Sequence, residues 1–459
     1  MRGKTRAAVV AVAMLAALFG AIPATASHDE DMHSDSIKLL KREAFDADKD
    51  LPAQGSDLAF QGKTVIAGSY QGTGFFKILS RRDGFIKQVG FHQCPGSQGD
   101  VSVRGNLLFV SIDATGSNNV ENPSCNNTKT NLSDTSLGKE GVRIVDISNL
   151  QQPKQVAFIE TDCGSHTNTL LPDGDTTYVY VESYPISGQG PSCNQLTHRK
   201  ISIIKVPNAA PEKAELVGTD TGFLPPDTVG CHDVTYYPQR DLAIAACLGV
   251  WMTWDVSDPA KPVVLSETRN EEIELDHSSA ITWDGNIALI GDEHAGAAGG
   301  GGCSPNSDSP VGAMWFYDIS GDNVKNPKLL AHHSLPRVPP FGGDERDRVR
   351  CTTHNFNVLP MKDPTKYIVV SSYYAGGIAA LDFSDVKNGN VEEIGHYIHI
   401  PGGVLPDTWA AYWYNGRIYA NNHLGGHGLE VFKLKGTGRR QVKFFSGDTN
   451  PQVQVPSFR

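Results

Sequence analysis

Four histidines stand at matching places in the chain. Each comes just before a short segment of alternating apolar residues: His166 (CGSHTNTLL), His232 (GCHDVTYY), His277 (LDHSSAITW) and His354 (CTTHNFNVL). Neutral imidazole binds zinc, copper, iron and nickel, and three or four converging imidazoles leave coordination positions open for a substrate. We therefore expect a site for a transition metal, copper, iron or zinc, wherever the fold brings these side chains together.

Other carboxylates and imidazoles stand near the same segments. We expect additional ligands, or groups that orient the ligands, among Glu182, Asp276, Asp292, Glu293, His294 and His423. The alternative is that a duplicated histidine only hydrogen-bonds the neighbouring repeat, since a buried polar group must find a partner. The corresponding segments QGSDLAF, SQGDVSV and DTWAAYW carry no histidine, and this asymmetry favours a site.

The elements that must position these histidines belong to a repeat of about 60 residues. The clearest copies are GVRIVDISNLQQPKQVAFIE (141–160), GVWMTWDVSDPAKPVVLSE (249–267) and AMWFYDISGDNVKNPKLLAHH (313–333), and weaker copies begin at 74, 200, 376 and 427. Two alternating runs around a turn, as in SSAITWDGNIALIGD, precede each copy. Such a unit predicts four antiparallel strands.

Seven such units without helical periodicity predict an all-β fold, a seven-bladed β-propeller of four-stranded antiparallel blades. Two β-sandwiches are the alternative, but sandwiches do not require a seven-fold period. Either SIKLLKREAF (36–45) or VKFFSGDTNPQVQ (442–454) must supply or cover the last sheet edge. The expected organisation is a signal peptide (1–26), an N-terminal extension (27–50), the propeller (51–440) and a C-terminal tail (441–459).

The end of each repeat resembles a known family. The segments RIVDISN, TWDVSDPAKP and FYDISGD share an aliphatic-Asp-aliphatic-Ser core that is similar to the LVIVD repeat of secreted and surface β-propellers in bacteria and archaea. The resemblance covers nearly the whole mature chain and implies an extracellular propeller. It implies little about chemistry, because the repeat residues serve packing and turns.

The first 26 residues have the features of a cleaved secretory signal peptide. A cationic MRGKTR segment precedes the apolar run AAVVAVAMLAALFGAI and the small residues Ala24, Thr25 and Ala26. No second apolar run of spanning length follows, so we expect a secreted protein without a membrane span. A formal net charge of −11 leaves no basic surface for phosphate backbones, so we expect no nucleic-acid partner. We also expect a monomer.

Eight cysteines in an exported chain predict disulfides. All eight fall beside the connections that enter the first strand of a blade or leave its second strand. These connections share one face of a propeller, because antiparallel neighbours reverse direction. The expected pairs are Cys94–Cys125, Cys163–Cys193, Cys231–Cys247 and Cys303–Cys351.

Three long insertions belong to the same face, at 116–138, 186–198 and 295–310, and loops elaborated on one face indicate a working face. Two functions then remain open. One is an exported metalloenzyme that holds copper or iron in a histidine-lined channel mouth and oxidises a small organic substrate. The other is a non-catalytic extracellular scaffold that binds a protein, glycan or small ligand there. The first needs clustered imidazoles, whereas the second has them hydrogen-bonded separately.

Overall fold

The structure is a computed structural model that describes residues 31–48, 51–96, 98–113, 140–185, 193, 197–218, 222–294, 310–337, 350–423 and 427–458. Within these ranges the chain forms seven antiparallel blades, which confirms the predicted all-β, seven-bladed β-propeller. The predicted signal peptide lies outside the described residues, as do most residues of the three predicted insertions. The described part contains no helix with the length and apolar character that a membrane crossing requires.

Thirty-two strands account for about half of the described backbone. The N-terminal segment forms β1 (Met32–His33), β2 (Ile37–Glu43), β3 (Asp46–Asp48) and β4 (Leu51–Pro52). The first three blades contain β5 (Gly55–Gln61), β6 (Thr64–Ser69), β7 (Gly72–Ser80), β8 (Phe85–Gln93), β9 (Val101–Arg104), β10 (Leu107–Ile112), β11 (Gly141–Asp146), β12 (Lys154–Glu160), β13 (Thr167–Asp173), β14 (Thr176–Glu182), β15 (Ser202–Pro207) and β16 (Glu215–Leu216).

The remaining four blades continue in the same order. They contain β17 (Asp233–Tyr237), β18 (Leu242–Cys247), β19 (Val250–Asp255), β20 (Val263–Thr268), β21 (Asp276–Ile281), β22 (Ile287–Asp292), β23 (Met314–Asp318), β24 (Lys328–His333), β25 (Phe356–Val358), β26 (Ile368–Ser372), β27 (Ile378–Asp382), β28 (Glu392–Ile398), β29 (Thr408–Tyr414), β30 (Arg417–Asn422) and β31 (Leu429–Leu434), and β32 (Asp448–Thr449) follows. The helical segments of the described chain are 3₁₀ turns at Pro211–Lys213, Pro238–Arg240, Gly321–Lys325, Val386–Asn388 and Pro401–Gly403.

Burial differs between the inner and outer strands of a blade. The second strands, such as β18 and β22, are buried along their whole length, because each lies between two neighbouring sheets. The outer strand β20 is mostly exposed or half-buried. Between the fourth and fifth blades, Ile244 and Trp251 pack with Ile281, Ile290 and Trp315 in one apolar cluster. Such face-to-face contacts hold adjacent blades together.

The first strands of the blades line the central channel. Strands β5, β9, β13, β17, β21, β25 and β29 contact one another in this order, and β29 contacts β5 again. The ring is therefore closed. The beginnings of these seven strands surround one mouth of the channel, and the residues just before them face each other across it.

The N-terminal segment supplies the outer strand of the seventh blade. Strand β2 pairs antiparallel with β31, with Ile37 opposite Leu434 and Glu43 opposite Leu429. Strand β1 extends the sixth blade by pairing with β28. The C-terminal segment instead adds β32 to the inner strand β5, and Val453 forms a bridge to Tyr236 of the fourth blade. Of the two segments left open above, the N-terminal one thus closes the last sheet edge.

Two of the expected disulfides join the mouth connections. Cys163 bonds to Cys193, and Cys231 bonds to Cys247, which ties the entry of β17 to the end of β18. Cys94 and Cys351 are also disulfide-bonded. Their expected partners Cys125 and Cys303 lie outside the described residues.

Removing the apolar anchor of the closing strand should destabilise the protein. The Ile37 side chain is 2% exposed and belongs to the core of the last two blades. We expect Ile37→Ala to lower the free energy of unfolding by about 2–4 kcal/mol, because it deletes buried methyl groups. Denaturant titration measures this change.

The matched control is Lys38→Ala, one residue along, where the side chain is exposed. This variant should stay within about 0.5 kcal/mol of the wild type. Equal stability for Ile37→Ala and Lys38→Ala would contradict the role of β2 in closing the ring.

Candidate metal centre

The four predicted histidines occupy equivalent positions at the channel mouth. The backbone N–H of His166 donates to the Glu182 carbonyl at 2.8 Å, and that of His232 donates to Ala246 at 2.9 Å. The backbone N–H of His354 likewise donates to the carbonyl of Ser372, the last residue of β26, at 3.1 Å. His277 sits in β21, where the register with β22 shifts between Asp276 and Ser278. His277 is therefore the extra residue of a β-bulge, and no residue of β22 lies directly opposite it.

The imidazoles form a continuous row. The ring centroids of His166 and His232 are 4.5 Å apart, those of His232 and His277 are 3.7 Å apart, and those of His277 and His354 are 4.3 Å apart. The Nε2 atoms of His166 and His232 approach to 3.0 Å. The structure therefore brings all four side chains together, each at most 6% exposed.

Two of the rings are held through Nδ1. The Asp113 carboxylate lies 2.6 Å from His166 Nδ1, and the Trp409 carbonyl accepts from His354 Nδ1 at 2.5 Å. A proton on Nδ1 leaves the lone pair of each ring on Nε2. This is the arrangement in which carboxylates and carbonyls orient histidine ligands of metals.

A compact donor set lies at one end of the row. The ligand atoms of His277, Glu293 and His354 are all within 4.8 Å of one another. Glu293 Oε2 is 3.5 Å from His277 Nε2, while Glu293 Oε1 accepts from the Tyr374 hydroxyl and lies 3.5 Å from Arg350 Nη1. The second carboxylate oxygen of Glu293 is thus fixed by other groups, and Oε2 faces the histidines.

Burial favours the neutral form of three of these imidazoles. Desolvation, followed by repulsion from neighbouring charged groups, lowers the pKa of His232, His277 and His354 well below the usual 6.5. Within the part of the chain that the structure describes, the Nδ1 atoms of His232 and His277 are buried without a hydrogen-bond partner. An unsatisfied buried nitrogen is unfavourable by about 1–3 kcal/mol. Neutral rings and unsatisfied nitrogens are the features of a ligand set rather than of purely structural histidines.

The other predicted residues lie at varying distances from this row. His423 stacks near Tyr70 and Trp409 at the rim, with ring centroids 4.7 Å and 5.0 Å away. Glu182 is buried and accepts from the Thr167 hydroxyl at 3.2 Å. Burial, and then the Asp233 carboxylate, raise the pKa of Glu182 well above its usual value.

Asp276, Asp292 and His294 serve the loop of their own blade instead. Asp292 accepts hydrogen bonds from the backbone N–H groups of Leu275, His294 and Gly312. His294 pairs with Glu274 at the surface. Burial, and then the Asp292 carboxylate, raise the pKa of Asp276 to about 8. Because successive strand residues face opposite sides, Glu293 turns to the histidines and Asp292 does not.

Sequence reasoning missed several residues of the site. Asp113, Tyr184 and Arg350 contact it directly: the Tyr184 hydroxyl is 3.2 Å from His166 Nε2, and the Arg350 guanidinium lies 3.8 Å from the Tyr374 ring centroid. The repeat pattern could have pointed to Asp113 and Tyr184, because both follow the second strand of their blade. In six blades the first or second residue after the second strand reaches the site or its rim: Tyr70, Asp113, Tyr184, Glu293, Tyr374 and His423.

Comparisons with known proteins assign no function. No protein-family model and no curated protein matches the chain. It is similar to a functionally unknown protein from Desulfotomaculum acetoxidans DSM 771 (TM-score 0.45, 12% identity, 75% of this chain and 90% of that one). It is also similar to the hydrazine synthase of Kuenenia stuttgartiensis (TM-score 0.49, 13% identity, 82% and 93%). These similarities carry no conclusion about function, and membership of the LVIVD family stays a prediction.

Acid should destabilise the metal-free protein through the buried histidines. Below about pH 6.5 the histidines of the unfolded state bind protons, whereas these buried histidines of the folded state stay neutral. The free energy of unfolding therefore decreases as the pH falls. Each such histidine contributes up to about 1.4 kcal/mol per pH unit. We expect His277→Asn to lose less stability than the wild type between pH 7 and pH 5, measured by urea unfolding.

The exposed His332 supplies the control for this measurement. His332→Asn should follow the pH dependence of the wild type. An identical pH dependence for His277→Asn and the wild type would mean that His277 is protonated as readily in the folded state as in the unfolded state.

Proposed function

We propose that this chain is an exported β-propeller of the LVIVD type that holds a redox-active transition metal in its channel mouth and oxidises a small organic substrate there. The observation that carries this proposal is the donor set His277, Glu293 and His354, with its ligand atoms within 4.8 Å of one another. Two imidazoles and one carboxylate with open positions are typical of non-haem iron(II) oxygenases. We therefore favour iron over copper.

The residues present fit such an ion. His277, Glu293 and His354 would hold it, and the row continues with His232 and His166 as further nitrogen donors. Neutral imidazoles bind without first losing a proton, and the unsatisfied Nδ1 atoms of His232 and His277 lack a protein partner. When bound, iron would supply one-electron chemistry and a binding position for dioxygen.

The chain's own residues position the donors and exclude water. Asp113 holds the ring of His166, and the Trp409 carbonyl holds the ring of His354. Arg350 and Tyr374 engage one oxygen of Glu293 and leave the other toward the histidines. The aromatic rings of Tyr374 and Trp409, 4.6 Å and 4.7 Å from that of His354, keep this end of the row dry. A dry site strengthens each of these electrostatic contacts.

Metal content tests the proposal. The secreted protein, produced without a polyhistidine tag and loaded anaerobically with iron(II), should retain iron that elemental mass spectrometry detects after desalting. The His277→Ala, His354→Ala double variant should lose this iron. The matched control His332→Ala changes an exposed histidine and should keep it.

Oxygen uptake then tests catalysis. The loaded protein should consume dioxygen with a member of a panel of small organic reductants, and the double variant should not. Glu293→Gln should weaken iron binding by at least about 10-fold, because it removes a charged ligand group. If the wild type retains no iron or copper after loading, the oxidase proposal fails and the non-catalytic binding scaffold becomes the better explanation.

A further inference from the structure

A second group of metal-ligand residues lies away from the channel row, at the seam between the sixth and seventh blades. His399 follows β28, the last paired strand along the chain in the sixth blade. His427 lies just before β31 of the seventh blade, and Glu430 lies at the start of β31. Their ligand atoms lie within 4.8 Å of one another. We call these three residues the seam cluster. None of them was singled out by the sequence.

The seam cluster brings two imidazoles and one carboxylate within reach of a single point. Glu430 Oε1 lies 3.7 Å from His427 Nδ1 and contacts His399 Nδ1. Two ligands bound to one tetrahedral zinc ion at about 2.0–2.1 Å are about 3.3–3.4 Å apart. The Glu430–His427 pair is thus close to the spacing that a zinc ion imposes, whereas His399 and Glu430 are in direct contact and must move apart to admit an ion.

The orientation of Glu430 is set by its neighbours. The side-chain amide of Asn422 donates to Glu430 Oε2 at 3.2 Å, and Asn422 itself accepts from the Thr408 hydroxyl at 3.0 Å. This leaves Oε1 directed at the two histidines. An outer hydrogen bond that orients a carboxylate ligand is a regular feature of metal sites.

His427 provides an independent reason to expect a ligand. Its side chain is fully buried, and among the described residues neither ring nitrogen has a hydrogen-bond partner. A simple ion pair between His399 and Glu430 would leave this buried ring unsatisfied, which is unfavourable. A cation between the three side chains satisfies His427 Nδ1 and the Glu430 charge together.

We propose that the seam cluster is a structural zinc site, with His399, His427 and Glu430 as its protein ligands. Two imidazoles and a carboxylate suit Zn²⁺. The Glu430 and His427 side chains are at most 2% exposed and that of His399 is 12% exposed, so the site has little room for a substrate. A structural role fits this burial better than a catalytic one.

The position of the site indicates what the zinc does. It joins the connection after the sixth blade to the third strand of the seventh, the strand that pairs with the closing strand β2. Asp31 lies alongside, accepting from the Ile400 N–H at 2.8 Å and the Tyr397 hydroxyl at 2.6 Å. Bound zinc therefore fastens the blades at the place where the N-terminal segment completes the ring.

Zinc titration in the His277→Ala, His354→Ala background tests this site, because that background lacks the centre proposed in the channel mouth. After chelation and dialysis, calorimetric titration with ZnCl₂ should show one equivalent bound. Adding Glu430→Gln, or separately His399→Asn, should abolish this binding. Zinc should also raise the thermal unfolding midpoint of the background protein and leave that of the Glu430→Gln protein unchanged.

His396→Asn is the matched control. His396 also pairs with a carboxylate, with its Nδ1 2.8 Å from Glu393 Oε1, but it lies outside the seam cluster. This variant should bind zinc like the background protein. If a seam variant fails to fold, X-ray absorption of the zinc-loaded background protein replaces it and should show only nitrogen and oxygen donors with two imidazoles.

The proposal is overturned if the background protein binds no zinc, or if its zinc binding survives both seam variants. A failure of the iron experiment would not change the zinc binding expected at the seam cluster, since the two sites share no residue. Conversely, Glu430→Gln made in the wild-type chain should leave iron retention in the channel mouth unchanged, which separates the two sites.

Discussion

The antiparallel pairing of β2 with β31 is the contact on which the rest of the structure depends. It joins residues from opposite ends of the chain and completes the outer edge of the seventh blade. A closed ring has no unprotected sheet edge and forces neighbouring blades into face-to-face packing. The same closure sets the width of the channel. The distances between the channel imidazoles, 3.7–4.5 Å between ring centroids, follow from that width.

Closure of the ring also buries the channel, and several polar side chains lie in this buried region. In the channel-lining strand β5, Asp57 accepts from the Tyr412 hydroxyl at 2.5 Å and from the Gln452 amide at 2.9 Å. Burial, and then the charge of Asp57, raise the pKa of Asp233 well above its usual value. Polar side chains placed in a dry channel are satisfied by each other or by a ligand. The unsatisfied nitrogens of His232 and His277 are consistent with the second case.

The two proposed sites use the same kind of donor set in different surroundings. In the channel mouth, His277, Glu293 and His354 belong to a longer row of imidazoles with aromatic rings beside it. At the seam, His399, His427 and Glu430 form a set of three between two blades, with side chains at most 12% exposed. Ligand number and access distinguish a reactive site from a structural one more than ligand type does. Under the two proposals, one site would supply chemistry, and the other would reinforce the ring that supports it.

The sequence by itself determined the fold class and the membership of the histidine row. Alternating runs, turn dipeptides and a seven-fold period leave few architectures, and His166, His232, His277 and His354 share one register within the repeat. Equivalent residues in a ring of repeats face the same axis, so the sequence predicted that these four histidines lie close together.

Only the tertiary structure decided which other residues join them. Asp113 and Glu293 each follow the second strand of a blade without a shared sequence motif, and Arg350 comes from a different connection. One step along the chain separates Glu293, which faces the histidines, from Asp292, which serves a loop. His399 and Glu430 meet only because closure places the sixth and seventh blades side by side. Such contacts depend on ring geometry and strand alternation, which a linear pattern does not specify to within one residue.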